Sequence, residues 1–274
     1  MVWRGAQRRG CRLSTWVLLR GLTRESRHWG AFPQTLAAQL PAARILSPDL
    51  AGNGRLHELQ TPATVEGIAA DCRARLLAQG ERPPFHLLAL SLGAMVAVAW
   101  AQRHPSEVAG CVLINTSMRP FSPFHQRLRP RNYAALLKLA SGRLDEHARE
   151  AWVLALTSRS VAAHDPLLAD WVAYRRECPV SGRNALRQLL AAARFCAPPS
   201  RPATRLLVLA AAQDTLVDSR CSQRLAEHWA VPLAVHPQAG HDIPLDDGPW
   251  VAERVRQWSA AASAGTRAQT GPES

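Results

Sequence analysis

The sequence predicts an α/β protein: a mostly parallel central sheet flanked by helices, with a helical segment inserted late in the chain. Three observations carry that expectation. Short apolar runs alternate with longer amphipathic ones, the pattern of strands and crossover helices. The alternation breaks at Met118, after which the pattern is helical with irregular stretches to about Ser200. It then resumes with the apolar run Arg205 to Ala210.

Taken in order, Trp16 to Leu19 reads as the first strand, Phe32 to Leu40 as a helix and Arg44 to Ser47 as the second strand. That strand runs into Asp49-Leu50-Ala51-Gly52-Asn53-Gly54, a turn rich in breakers. Thr64 opens a helix to Gln79, with Glu66 placed a little early for the acid of a capping box and Gly80 as the stop. Phe85 to Leu90 is a buried strand. Leu92 to Gln102 is a helix so apolar all round that it must be packed on most sides. Gly110 to Asn115 is the next strand. After the break come the strand Arg205 to Ala210, a helix Ser219 to Trp229, a strand Pro232 to His236 and a helix Pro249 to Ser259. The punctuation Pro198-Pro199-Ser200-Arg201-Pro202 marks the return to the sheet. Residues 1–117 and 203–274 are therefore expected to form the core and 118–202 a helical cap, with the last dozen residues a frayed tail.

Composition narrows the function classes. A chain of 274 residues, 47% hydrophobic and 20% charged, is neither disordered nor fibrous and is long enough for a substantial core. Its formal charge is +12, yet Lys138 is the sole lysine, so the excess reflects drift toward Arg as much as a selected basic surface. Residues 1–30 carry +6 and 118–203 carry +8, whereas 31–117 are balanced and 204–274 carry −2. The segments expected to supply the sheet are thus near neutral. The apolar stretch Trp16 to Leu19 is shorter than the roughly 7–15 residues of a signal-peptide core, so export is not expected. Phe85 to Ala101 is interrupted by His86, Ser91 and Gly93 and falls short of the roughly 20 residues that span a bilayer, so no transmembrane segment is expected. The six cysteines show neither a C-x-x-C pair nor a histidine at zinc spacing. They read as reduced thiols of a cytoplasmic protein, with no metal site.

The chemistry gathers around Ala89-Leu90-Ser91-Leu92-Gly93, a strand-to-helix turn of the G-x-S-x-G type with Ala in the first small position. Small residues flank the serine because so tight a turn brings those side chains against neighbouring backbone. A serine hydroxyl is a poor nucleophile unless a base takes its proton and an acid orients that base. In this architecture the order is Ser, acid, His. Asp214 follows the strand Arg205 to Ala210, and His241 follows the next strand, so all three fall at the carboxyl edge of a parallel sheet. Asp218 is assigned instead to capping the helix near Ser219, and Asp242, Asp246 and Asp247 to solvated loop charges. His28 and His125 are read as surface residues. An oxyanion hole needs two donors: the Leu92 N–H after the nucleophile, and the Leu22 N–H in the first loop, Leu18-Leu19-Arg20-Gly21-Leu22-Thr23.

With these residues in place the chain resembles the α/β-hydrolase superfamily, from about Trp16 to Trp258. In that family the first loop usually reads His-Gly, the second turn reads Asp-x-x-Gly-x-Gly as Asp49 to Gly54 does here, and the triad falls where Ser91, Asp214 and His241 stand. This sequence has Arg20 in place of the usual His and Ala89 in place of the first elbow Gly. The resemblance implies a serine hydrolase of carboxylic esters that works through an acyl-enzyme and needs no cofactor, acting on a small-molecule ester or acyl substrate. A serine nucleophile argues against the dehalogenase and epoxide-hydrolase branches. Thioesters, acyl transfer from a carrier, and carbon–carbon bonds beta to a carbonyl would use the same groups and stay open as alternatives. The cap helices Tyr133 to Ala140 and Asn184 to Cys196 could roof an acyl pocket, with Phe121 and Phe124 as candidate walls. Arg20 is a candidate substrate contact, and together with Arg24, Arg27 and the basic cap it would favour acidic substrates or an acidic carrier. A polyanion-binding role is the non-enzyme alternative; the absence of a nucleic-acid motif or a block of consecutive cations argues against it.

Overall fold

The computed structural model describes residues 14–140, 144–160 and 166–268. The basic stretch Met1 to Leu13 and the end of the expected tail, 269–274, lie outside the described residues. In chain order the core opens with β1 (Ser14–Leu19), α1 (Phe32–Gln39), β2 (Ala43–Leu46), α2 (Val65–Ala78), β3 (Phe85–Leu90), α3 (Leu92–Arg103) and β4 (Val108–Ile114). Five helices follow before the sheet resumes: α4 (Phe124–Arg127), α5 (Tyr133–Ala140), α6 (Glu146–Thr157), α7 (Pro166–Glu177) and α8 (Gly182–Arg194). Then come β5 (Arg205–Ala211), α9 (Arg220–Trp229), β6 (Leu233–His236), α10 (Ile243–Asp246) and α11 (Gly248–Ala268). Every strand of the sequence reading is present within two residues of its expected ends. The last helix runs on to Ala268 rather than ending near Ser259, which corrects part of the expected tail.

The six strands lie in the order β2-β1-β3-β4-β5-β6, and all five pairings are parallel. Parallel strands covered on both faces should be apolar throughout, and these are. Along β1, Val17 and Leu19 face one core with α2, α3 and α9, while Trp16 and Leu18 face a second with α1 and α11. The period-2 alternation of side chains thus divides one apolar run between two layers. Helix α3 lies over the sheet with ten residues buried, Leu92 through Ala101, which explains its lack of a polar face. Helix starts follow local capping: Thr64, Asp145 and Ser181 each accept a backbone N–H of the first turn from Gly67, Ala148 and Asn184, at 3.1, 2.7 and 3.1 Å. The five described cysteines are free. Among the described residues no helix is long and apolar enough to cross a membrane.

Candidate active site

The sheet register sets the site. Leu19 pairs with Ala89, Ala89 with Leu113, Leu90 with Ile114 and Ile114 with Leu209, so the loops after β1, β3, β4 and β5 leave the sheet at one level. Ser91 stands in the sharp turn between β3 and α3 with φ of 57°, a conformation that L residues avoid and that needs outside support. Support comes from its N–H, which donates to the Ile114 carbonyl at 2.9 Å, and from its carbonyl, which accepts the Thr116 hydroxyl at 3.3 Å. Close approach also explains two glycines. A Cβ on Gly93 would stand 2.7 Å from the Arg20 carbonyl oxygen, and one on Gly21 would stand 3.3 Å from the Ser91 Cβ. Ala89 is fully buried between β1 and β4, where its single methyl fits.

His241 is buried, and its Nδ1 lies 2.7 Å from Asp214 Oδ2. A carboxylate only accepts, so Nδ1 carries the proton and Nε2 is left with its lone pair. The other Asp214 oxygen accepts the N–H groups of Leu216 and Val217 at 2.8 and 2.9 Å, which fixes the carboxylate in its loop. Burial pushes the imidazole pKa down, but the Asp214 carboxylate, assisted by Asp242, outweighs it and leaves the ring above its ordinary 6.5. Asp218 takes the role expected of it: it accepts the Arg220 N–H at 3.0 Å at the start of α9 and pairs with that guanidinium. Leu22 follows Gly21 in the loop after β1, and Leu92 is the first residue of α3, a position whose N–H has no acceptor inside the helix.

Asn115, which sequence reasoning passed over, brackets the site. It directly follows β4 with φ of 44°; its Oδ1 accepts the Ala211 N–H at 2.8 Å, and its Nδ2 donates to the carbonyls of His241 and Gly240 at 2.7 and 3.2 Å. One buried amide therefore ties the histidine loop to β4 and β5. A signal was present: Asn115 closes a strand at the same sheet edge as Ser91.

Several expectations are corrected. Asp242 is not a solvated loop charge but forms a buried, two-pronged ion pair with Arg20, at 3.2 and 2.5 Å. Asp246 is likewise committed, accepting from Ser158, Ser160 and the N–H groups of Arg159 and Gly240, and Asp247 pairs with His236 at 3.1 Å. Arg20 is 3% exposed with its terminal nitrogens on Asp242, so it is an internal strut rather than a substrate contact. Arg24 is spent on Glu150, and Arg27 on Glu25 and Glu177, which removes these arginines as readers of acidic substrates. His28 is buried beside Trp171, not on the surface; burial, then the cations Arg24 and Arg20, hold its pKa well below the ordinary value and keep it neutral. Phe121 packs on His228 and Trp229 of α9, and Phe124 is 73% exposed.

The inserted helices meet the site along a polar seam. Gln188 of α8 accepts the Thr23 N–H at 2.8 Å and donates to Asn53 Oδ1 at 2.9 Å, while Asn184 accepts the Thr61 N–H at 3.0 Å and donates to the Leu59 carbonyl at 2.9 Å. Both amides are buried, so α8 is fastened to the loop after β1 and to the turn after β2. Among the described residues, no three metal-ligating side chains converge.

Comparison with known proteins agrees with this architecture. A model of the alpha/beta hydrolase family matches residues 16–254. A pimeloyl-[acyl-carrier protein] methyl ester esterase of Aromatoleum aromaticum is 30% identical over 232 residues, spanning 83% of this chain and 82% of that one. Among solved structures, a thermophilic esterase from Thermogutta terrifontis superposes with a TM-score of 0.67 at 20% identity, covering 90% of each chain. A 2-hydroxy-6-oxo-6-phenylhexa-2,4-dienoate hydrolase from Rhodococcus superposes with a TM-score of 0.73 at 18% identity, covering 91% of this chain and 92% of the other. The two structural likenesses speak to the fold alone.

Proposed function

The chain belongs to the alpha/beta hydrolase family, and from that premise we propose that it is a serine hydrolase of carboxylic esters in which Ser91, His241 and Asp214 form the triad. The carrying observation is the His241–Asp214 bond of 2.7 Å, which leaves Nε2 as the free base, in a site where Ser91 is held at positive φ between β3 and α3. In this reading Nε2 takes the Ser91 proton as Oγ attacks the ester carbonyl. The N–H groups of Leu22 and Leu92 receive the oxyanion, a role worth about 3–4 kcal/mol per donor in comparable sites. The imidazolium, steadied by Asp214, then protonates the leaving alcohol. Water activated by the same ring releases the acid and restores the serine.

The substrate we propose is an ester of an acyl chain held by an acidic carrier. The Aromatoleum relative, named for a methyl ester on an acyl-carrier protein, favours it. So does the +8 carried by residues 118–203, where Arg131, Arg183 and Arg194 are exposed. In this reading the inserted helices form a cap over the site. The test is a fluorophosphonate probe and a panel of esters graded in chain length, free and carrier-bound, run on the parent and on Ser91→Ala. Labelling of the parent alone, with turnover lost in the variant, is expected. Equal labelling of both proteins would remove Ser91 as nucleophile, and equal turnover of free and carrier-bound esters would remove the carrier.

A further inference from the structure

The loop that carries Leu22 and the loop that carries His241 are far apart in sequence and are joined by a charged pair. Arg20 Nη1 and Nη2 donate to Asp242 Oδ1 and Oδ2 at 3.2 and 2.5 Å, across 222 residues of chain. Arg20 stands two residues before Leu22, and Asp242 directly follows His241. Both are almost fully buried, and the guanidinium lies over the Trp29 ring at 4.6 Å. The Asp242 N–H donates to the Thr157 carbonyl at the end of α6, so the aspartate is held from its backbone as well. A planar fork on a carboxylate fixes both distance and orientation, which a point charge cannot do.

We infer that Arg20 and Asp242 are a positioning pair for the ester-hydrolysis site proposed above, setting the separation of oxyanion donor and base and balancing the charge around His241. The charged groups facing that imidazole are Asp214 from the loop after β5, Asp242 from its own loop and Arg20 from the loop after β1. Around the pair itself, His28 is neutral, Arg24 is paired with Glu150, Asp246 is hydrogen-bonded to Ser158, Ser160 and two backbone N–H groups, and Asp247 is hydrogen-bonded to His236. With the pair intact its two charges oppose one another at His241. Removing the carboxylate leaves a buried guanidinium that cannot lose its proton, and that cation disfavours imidazolium.

The inference rests on the triad reading, so fluorophosphonate labelling of Ser91 in the parent is measured first. Absence of labelling would refute that reading and this one together. With labelling in hand, the pH dependence of kcat/KM is compared for Asp242→Asn, for Arg20→Gln/Asp242→Asn and for Arg20→Lys, each checked for folding by circular dichroism. Asp242→Asn is expected to move the acid limb down by about half a pH unit or more and to lower kcat about tenfold or more with less change in KM. The double variant should bring the limb back toward the parent while kcat stays low. Arg20→Lys, which keeps charge and loses the fork, should leave the limb in place with kcat reduced. If Asp242→Asn fails to fold, Arg20→Lys decides the positioning claim alone. Folded variants that change only the melting temperature, with limb and kcat those of the parent, would overturn the inference.

Discussion

Gly93→Ala isolates the packing that lets the nucleophile turn lie against the first strand. The new Cβ would stand 2.7 Å from the Arg20 carbonyl oxygen and 2.8 Å from the Leu19 carbonyl carbon, and nearer still to the Leu19 oxygen. All three are backbone atoms at the end of β1, where Leu19 is in register with Ala89, so none can swing away as a side chain would. Strand and helix must part by several tenths of an ångström. Overpacking of this kind costs about 1–3 kcal/mol, and backbone contacts place it at the upper end; the gain in helix propensity, ~1 kcal/mol, returns part of it. A net loss near 2 kcal/mol corresponds to a melting point about 4–8 °C lower in a protein of this size. The displaced strand end leads into Gly21 and Leu22, so the spacing of the two proposed oxyanion donors widens, and a tenfold to hundredfold fall in kcat is the expected order. Gly21→Ala is the control. Its Cβ meets the Ser91 Cβ at 3.3 Å, the Leu90 oxygen at 3.5 Å and the Ser91 Oγ at 3.9 Å, so the melting point should barely move while the methyl group crowds the proposed nucleophile. Thermal melts and fluorophosphonate labelling rates on the three proteins decide the matter. A Gly93→Ala protein that melts with the parent and labels at the parental rate would refute the reasoning.

Three further outcomes are expected. Because His241, the proposed base, must be neutral to act and its pKa is raised, kcat/KM should fall as pH drops through a value above 6.5. The same shift stabilises the fold below the unfolded imidazole value, and that contribution disappears as pH rises through the folded one, which melts across pH will register. Asn115→Leu leaves the Ala211 N–H and the Gly240 and His241 carbonyls without their partner, at about 1–3 kcal/mol for each group left unpaired; kcat should fall more than KM rises, and an unchanged melting curve would count against the bracket. Gln188→Leu keeps the volume and deprives the Thr23 N–H of its acceptor, so a loss of about 1–3 kcal/mol in urea unfolding is expected. A variant as stable as the parent would show that the seam does not hold the loop.

The placement of Ser91, Asp214 and His241 after β3, β5 and β6 was legible because each follows a strand with its own local signature: apolar run, then turn. Hydrophobic periodicity reports such units within a window of a dozen residues. What it could not report are partnerships formed across the fold. Asp242 looks like any loop acid until β1 brings Arg20 to it, and Gln188 and Asn184 look like the polar face of α8 until the turn after β2 arrives beneath them. Arg24 and Arg27 were misread for the same reason: sequence gives a cation its sign and leaves out the carboxylate that folding delivers. The end of α11 was misjudged on composition, since Ala-rich residues after Ser259 lack an apolar stripe yet favour helix intrinsically.

The seam on α8 has a consequence for how the insertion could be exchanged among relatives. Six hydrogen bonds from the side-chain amides of Gln188 and Asn184, together with the Ala197 N–H on the Arg119 carbonyl at 2.7 Å, fasten α8 and the chain after it to the sheet core. A transplant that cuts at the return to the sheet would carry away the acceptor of the Thr23 N–H and leave the first loop unsupported. A graft cut before Ser181 would keep these bonds, and with them the support of the first loop.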